Sequence, residues 1–154
     1  MKSKMLNMIS PCSGEVIPLE KVNDEVFSSG ILGRGFAIVP SEKDFFSPCS
    51  GIVSNAYDTG HAYMINTDEG LDVLVHIGIN TVELDGEYFS PIVKTNMKVS
   101  KGDKISYADV ENIKLRGYDP VTVVVITNPE RLDYFNVSYG KIKAGDTVFE
   151  YTLI

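Results

Sequence analysis

Apolar and polar residues alternate over short stretches along most of this chain, the period expected of β-strands with one face in a core. Gly14-Glu-Val-Ile-Pro18, Gly35-Phe-Ala-Ile-Val39, Gly51-Ile-Val-Ser-Asn-Ala-Tyr57 and Val148-Phe-Glu-Tyr-Thr-Leu153 all read this way. Turn signals separate them about every 8–12 residues, a spacing typical of sandwiches and barrels. Val121–Ile126, apolar except for Thr122, suits a strand buried on both faces. Helix is sparse. Asp109 to Gly117 reads as one short helix, capped by Asp109 and stopped by Gly117, and Glu20 to Phe27 supplies another turn or two. The expected fold is all-β: a compact antiparallel β-sandwich or barrel with a few short helical turns.

Two turn motifs each occur twice. Ser10-Pro-Cys-Ser-Gly14 recurs as Ser47-Pro-Cys-Ser-Gly51, and Lys98-Val-Ser-Lys-Gly-Asp-Lys-Ile105 is echoed by Lys141-Ile-Lys-Ala-Gly-Asp-Thr-Val148. Two copies are too few for a solenoid, so duplicated β units packed on each other are expected. No linker or low-complexity tract divides the chain, and residues 1–154 read as a single domain.

The segment His61 to His76 reads as a β-hairpin around Asp68-Glu69-Gly70, and it holds the only two histidines. With Asp68-Glu69 as a two-residue loop, His61 lies directly opposite His76, Cβ atoms roughly 4.5–5.5 Å apart. With Gly70 in the left-handed region of a three-residue loop, the register shifts by one.

Composition narrows the chemistry. At 154 residues the chain is long enough for a real core. A net charge of −7 without a basic stripe excludes a nucleic-acid partner. No apolar run has the length of a signal peptide or membrane span, so a cytoplasmic location is expected. Cys12 and Cys49 lack a C-x-x-C spacing and read as small buried hydrophobes.

The histidine pair leaves three readings open. Both rings can be incidental. They can form part of a metal site, but two histidines supply only half a zinc coordination sphere, and neither H-x-H nor H-E-x-x-H occurs. Or one imidazole can act as a nucleophile toward a phosphoryl group while the other donates to its oxygens. In that case Thr59 offers a hydroxyl to orient a ring. Gly78 permits close approach of a loop after His76, with neighbouring N–H groups available to phosphoryl oxygens. No metal or other cofactor is called for by the residues in view.

Thr59-Gly-His-Ala-Tyr63 and Gly70-Leu-Asp-Val-Leu-Val-His-Ile-Gly-Ile-Asn-Thr-Val-Glu-Leu-Asp-Gly86 resemble the glucose-family enzyme IIA domains of the bacterial phosphoenolpyruvate-dependent sugar phosphotransferase system. So do Ser10–Gly14, Asp24–Ser28, Ile31–Ile38 and Gly145–Val148, and the resemblance runs nearly end to end. It implies an antiparallel β-sandwich and a relay role. His76 matches the phosphorylated histidine, which accepts from the histidine-containing phosphocarrier protein and passes the group to a cysteine of a IIB domain. His61 matches the second active-site histidine, and Thr59 the threonine hydrogen-bonded within the pair. Asp24 matches an acidic residue that meets a basic residue of the phosphocarrier, and Phe27, Ile31, Leu32 and Leu74 an apolar collar. Regulated enzymes or transporters are further implied partners, sugar itself is not a ligand, and zinc can bridge such a pair transiently.

Two positions depart from the family pattern. Asn80 stands where aspartate is usual, removing a charge toward the basic partner. Gly60 replaces a bulkier polar residue before the first histidine. The amphipathic N-terminal extension of some members is also expected to be missing.

Overall fold

A computed structural model describes residues 4–154. Its strands are β1 (Leu6–Ile9), β2 (Gly14–Pro18), β3 (Arg34–Pro40), β4 (Asp44–Phe46), β5 (Gly51–Ala56), β6 (Ala62–Thr67) and β7 (Asp72–Ile77). They continue with β8 (Phe89–Pro91), β9 (Lys98–Val99), β10 (Lys104–Ala108), β11 (Thr122–Ile126), β12 (Leu132–Val137), β13 (Gly140–Ile142) and β14 (Thr147–Leu153). Two short helices, α1 (Glu25–Ser28) and α2 (Val110–Leu115), interrupt them, with 3₁₀ turns at Leu19–Lys21, Thr81–Leu84 and Pro129–Arg131. The strands form one eight-stranded sheet, in the order β13-β2-β3-β11-β7-β6-β5-β9, and two three-stranded sheets, β1-β14-β12 and β4-β10-β8. The ladders that position the site, β3-β11, β11-β7 and β7-β6, are antiparallel, as the alternating pattern requires.

The duplication is visible in the backbone. Ile9 N–H donates to the Pro48 carbonyl at 3.1 Å, and Phe46 N–H donates to the Pro11 carbonyl at 2.8 Å, so the two Ser-Pro-Cys-Ser turns hold each other reciprocally. Each turn is closed by its first serine: Ser10 Oγ to the Cys12 carbonyl at 2.7 Å, Ser47 Oγ to the Cys49 carbonyl at 2.6 Å. Each also receives one Gly-Asp turn, since Ser10 N–H reaches the Asp146 carbonyl and Ser47 N–H the Asp103 carbonyl, both at 2.8 Å. The serines are fully buried, where an unmade hydroxyl bond costs about 1–3 kcal/mol; small polar turn residues thus recur as a unit. Both cysteines are free and buried beside them.

The eight-stranded sheet is covered on both faces. On one, Phe36, Ile38, Tyr63, Ile65, Val73, Val75, Ile77, Val124 and Ile126 join the main core against the smaller sheets. On the other, Ala37, Val121, Val123 and Val125 form a second cluster with Leu19, Val22 and Phe27 from the segment that crosses over it. Burial of alternate residues on opposite faces explains why every residue of β11 is buried. That crossing segment is where a turn or two was expected, and α1 is a single turn capped by Asp24, whose Oδ1 accepts from Val26 and Phe27 N–H. The helix at α2 also matches its sequence signals: Asp109 Oδ1 accepts from Asn112 N–H, and Gly117 follows at φ +90°.

Candidate functional site

The β6–β7 hairpin takes the shifted register. Thr67 N–H donates to the Leu71 carbonyl at 2.8 Å, and Gly70 sits at φ +98° in a three-residue loop. His76 is consequently opposite Ala62, not His61. A regular strand would then send His61 to the other face, because neighbouring residues alternate. The chain breaks that rule just before β6. Thr59 lies in a turn, and Gly60 takes φ +76°. Ala62, the residue paired with His76, contributes only a methyl group, and the two imidazoles meet edge to face with centroids 5.1 Å apart. A Cβ at position 60 would press on Phe89 Cβ at 3.0 Å and Pro91 Cδ at 3.2 Å. The glycine that departs from the family pattern fits both the turn and its packing.

Each ring is tied through Nδ1. His76 Nδ1 lies 2.7 Å from the Gly78 carbonyl oxygen. A carbonyl only accepts, so Nδ1 carries the proton and, in the neutral ring, Nε2 carries the lone pair. His61 Nδ1 lies 2.5 Å from Thr59 Oγ1. A hydroxyl that donates to Nδ1 leaves the proton of a neutral His61 on Nε2. Tyr63 Oη is the only described side-chain N or O atom that is both fully buried and unpartnered, so neither Nε2 is sealed off.

Burial pushes the His61 pKa down to about 4, and the neighbouring His76 ring adds to the shift. Burial lowers His76 as well, opposed by the hydrogen bond to Gly78 and by the charge of Asp24. Both rings are therefore neutral at neutral pH, the form that can attack or donate without first losing a proton.

The surroundings are apolar. Phe27, itself buried, lies with its ring centroid 5.2 Å from that of His76, and Leu74 packs beneath in the second cluster. Ile31, 78% exposed, and Leu32 occupy the loop from α1 into β3 and present bare aliphatic surface. Asp24 serves first as the cap of the helix that carries Phe27. Asn80 is exposed at φ 59°, a left-handed conformation that asparagine adopts more readily than most residues. Both imidazoles are largely covered by their neighbours: His61 is 4% exposed and His76 half-buried. Among the described residues no group of three or more histidine, cysteine or acidic side chains converges on a metal position.

Some features escaped the sequence. Tyr57 sets its ring edge to face with His61 at 5.4 Å and is 46% exposed. Its period-two spacing with Thr59 and His61 was the available signal. Val26 and Val82 add exposed apolar surface on α1 and on the 3₁₀ turn after Asn80. The neighbours of Gly78 do not offer the N–H groups expected of them: Ile77 N–H is held by the His61 carbonyl and Ile79 N–H by the Asp119 carbonyl. What this loop supplies is a carbonyl, which no side-chain motif announces.

The sandwich sets two neutral imidazoles edge to face beside exposed apolar side chains, an arrangement that suits nucleophilic group transfer. Comparison with known proteins agrees. The family model for the phosphoenolpyruvate-dependent sugar phosphotransferase system, EIIA 1, matches residues 6–132. The chain is 38% identical over 146 residues to the PTS system glucose-specific EIIA component of Mycoplasma capricolum, covering 95% of each. It is 44% identical over 144 residues to the PTS system beta-glucoside-specific EIIBCA component of Halalkalibacterium halodurans, spanning 93% of this chain but 23% of that longer protein. The solved structure of glucose permease IIA from Mycoplasma capricolum superposes with a TM-score of 0.89 at 38% identity and 96% coverage of each chain. The chain belongs to the EIIA 1 family of the sugar phosphotransferase system, and the β-sandwich expected from its pattern is borne out.

Proposed function

We propose that His76 is the phosphoryl carrier. Its Nε2 accepts the group from the histidine-containing phosphocarrier protein and passes it to a cysteine of a IIB domain. The observation that carries this reading is the 2.7 Å bond from Nδ1 to the Gly78 carbonyl, which leaves Nε2 as the nucleophilic nitrogen beside His61. In the first transfer a P–N bond forms at Nε2 as the donor's P–N bond breaks, and the donor imidazole keeps that electron pair. Nδ1 of His76 retains its proton, and the Gly78 carbonyl stabilises the positive ring that results. His61, turned by Thr59, donates Nε2–H to a phosphoryl oxygen. In the second transfer the acceptor's cysteine thiolate supplies the electron pair of the new P–S bond, and the pair of the breaking P–N bond returns to Nε2 of His76.

The exposed aliphatic surface of Ile31 and Leu32 supports docking of a protein partner, so in-line geometry comes from the protein complex. Phe27, Ile31, Leu32 and Leu74 exclude water and slow hydrolysis of the phosphohistidine, while Asp24 and Asn80 face the partner. Fusion of B and C components in the name of the beta-glucoside relative supports a IIB domain as acceptor. Among the described residues no helix is long and apolar enough to cross a membrane, which fits work at the cytoplasmic side. Phosphorylation adds roughly −1.5 to −2 charge, by analogy with other phosphorylated side chains. That change lets the same face report phosphorylation state to regulated enzymes or transporters.

Incubation with phosphoenolpyruvate and the general phosphotransferase proteins tests this. The wild type becomes labelled, His76→Ala does not, and His61→Gln is labelled but transfers poorly to a IIB domain. Labelling that survives His76→Ala refutes the assignment.

A further inference from the structure

The hydrogen bonds behind the His76 ring implicate one more residue, on the reading of His76 as the carrier. The peptide unit joining Gly78 to Ile79 is gripped at both ends. Its carbonyl takes the Nδ1 proton of His76 at 2.7 Å, and its N–H donates to the Asp119 carbonyl at 2.9 Å. Asp119 is held in turn by its own side chain, whose Oδ1 accepts from Val121 N–H at 2.9 Å across Pro120, an Asx-type turn. The Val121 carbonyl then accepts Gly78 N–H at 2.9 Å. On the near side Thr81 Oγ1 donates to the Ile77 carbonyl at 2.6 Å. The loop before β11 and the loop after β7 are thus laced together around one carbonyl, and hydrogen bonds in such a chain polarise one another.

We propose that Asp119 is a positioning residue for phosphoryl transfer. Its side chain folds the 119–121 turn so that the Asp119 carbonyl aims the 78–79 peptide unit, which holds His76 as the Nδ1–H tautomer with Nε2 free to attack. The Asp119 side chain itself is exposed and its Oδ1 is engaged by Val121 N–H, so its influence runs through the backbone. Without the turn, the peptide unit is free to rotate, Nδ1–H loses its acceptor, and the ring samples the Nε2–H tautomer, which presents the wrong nitrogen.

Three variants test this: Asp119→Ala removes the turn-forming acceptor, Asp119→Asn keeps an oxygen there, and Tyr118→Phe is a control. Tyr118 Oη donates to Glu83 Oε1 at 3.0 Å in the same loop without joining the relay. The readouts are the ¹⁵N chemical shifts of His76 at a pH where the ring is neutral and the initial rate of labelling by the phosphotransferase proteins. Asp119→Ala is expected to show a mixed tautomer and a rate lowered about fivefold to tenfold, which corresponds to about 1–1.4 kcal/mol, one hydrogen bond's worth. Asp119→Asn restores both and Tyr118→Phe alters neither. An Asp119→Ala protein with the wild-type tautomer and rate overturns the proposal. So does an Asp119→Asn that behaves like Asp119→Ala, or a Tyr118→Phe as damaging as either. Failure of the wild type to be labelled overturns the functional reading instead, and the ¹⁵N measurement still decides the role of Asp119.

Discussion

His61→Gln should make the protein less sensitive to acid. In the folded chain burial and His76 hold the His61 pKa at about 4, against an ordinary value of 6.5. A group with a depressed folded pKa binds protons more weakly folded than unfolded, so the unfolded chain takes up the proton first as pH falls. Stability is therefore complete above about pH 6.5, declines as pH drops toward 4, and has lost the whole contribution below that. At about 1.4 kcal/mol per unit the full effect is on the order of 3 kcal/mol. Roughly 2 kcal/mol of it falls between pH 7 and pH 4.5. Because His61 is coupled to His76 and solvent reaches part of the site, this figure is an upper bound. Glutamine fills similar space and keeps an oxygen or amide for Thr59 while removing the titration. Urea unfolding at the two pH values gives the test: the wild type should lose up to about 2 kcal/mol more than His61→Gln on acidification. Asp109, whose pKa is lowered by its hydrogen bond to Asn112, titrates in more acidic solution and equally in both proteins. Equal pH slopes, within about 0.5 kcal/mol, would refute the claim that His61 is held neutral by burial.

Three further expectations concern the supports of the site. Gly60→Ala places a Cβ against Phe89 at a positive φ, and chemical denaturation should show a loss of about 1–3 kcal/mol; wild-type stability would mean that the turn relaxes freely. Phe27→Ala should cost about 3–5 kcal/mol and, at a temperature where the variant stays folded, shorten the lifetime of the phosphorylated form, because water reaches the ring that Phe27 now covers. Cys12 and Cys49 should resist thiol reagents until the chain unfolds: burial raises both pKa values, that of Cys49 to about 12, and rapid modification of the native protein would contradict this.

Much of the site was legible because its chemistry rests on rare residues. Two histidines are the whole complement, and Thr59 lies two residues from His61, within reach of its ring. The fold was legible where alternation and turn residues agree, as in β2, β5, β14 and the paired Ser-Pro-Cys-Ser turns. The hairpin register was not, because Asp68-Glu69-Gly70 supports two loops of different length, and only the left-handed Gly70 separates them. The approach of the two rings depends on Gly60 breaking the strand alternation, a three-dimensional effect that no periodicity encodes. Gly78's carbonyl and the Asp119 turn behind it were also out of reach, since backbone acceptors leave no residue-type signature. Tyr57 was within reach, two residues before Thr59 on the same alternation, and its contact with His61 extends the apolar rim on that side.

Heteronuclear NMR of ¹⁵N-histidine-labelled protein phosphorylated from phosphoenolpyruvate tests whether Nε2 of His76 carries the phosphoryl group. Phosphorus should couple to Nε2 of His76, with Nδ1 still protonated and the His61 resonances shifted but uncoupled. Coupling to Nδ1 of His76, or to either nitrogen of His61, would contradict it.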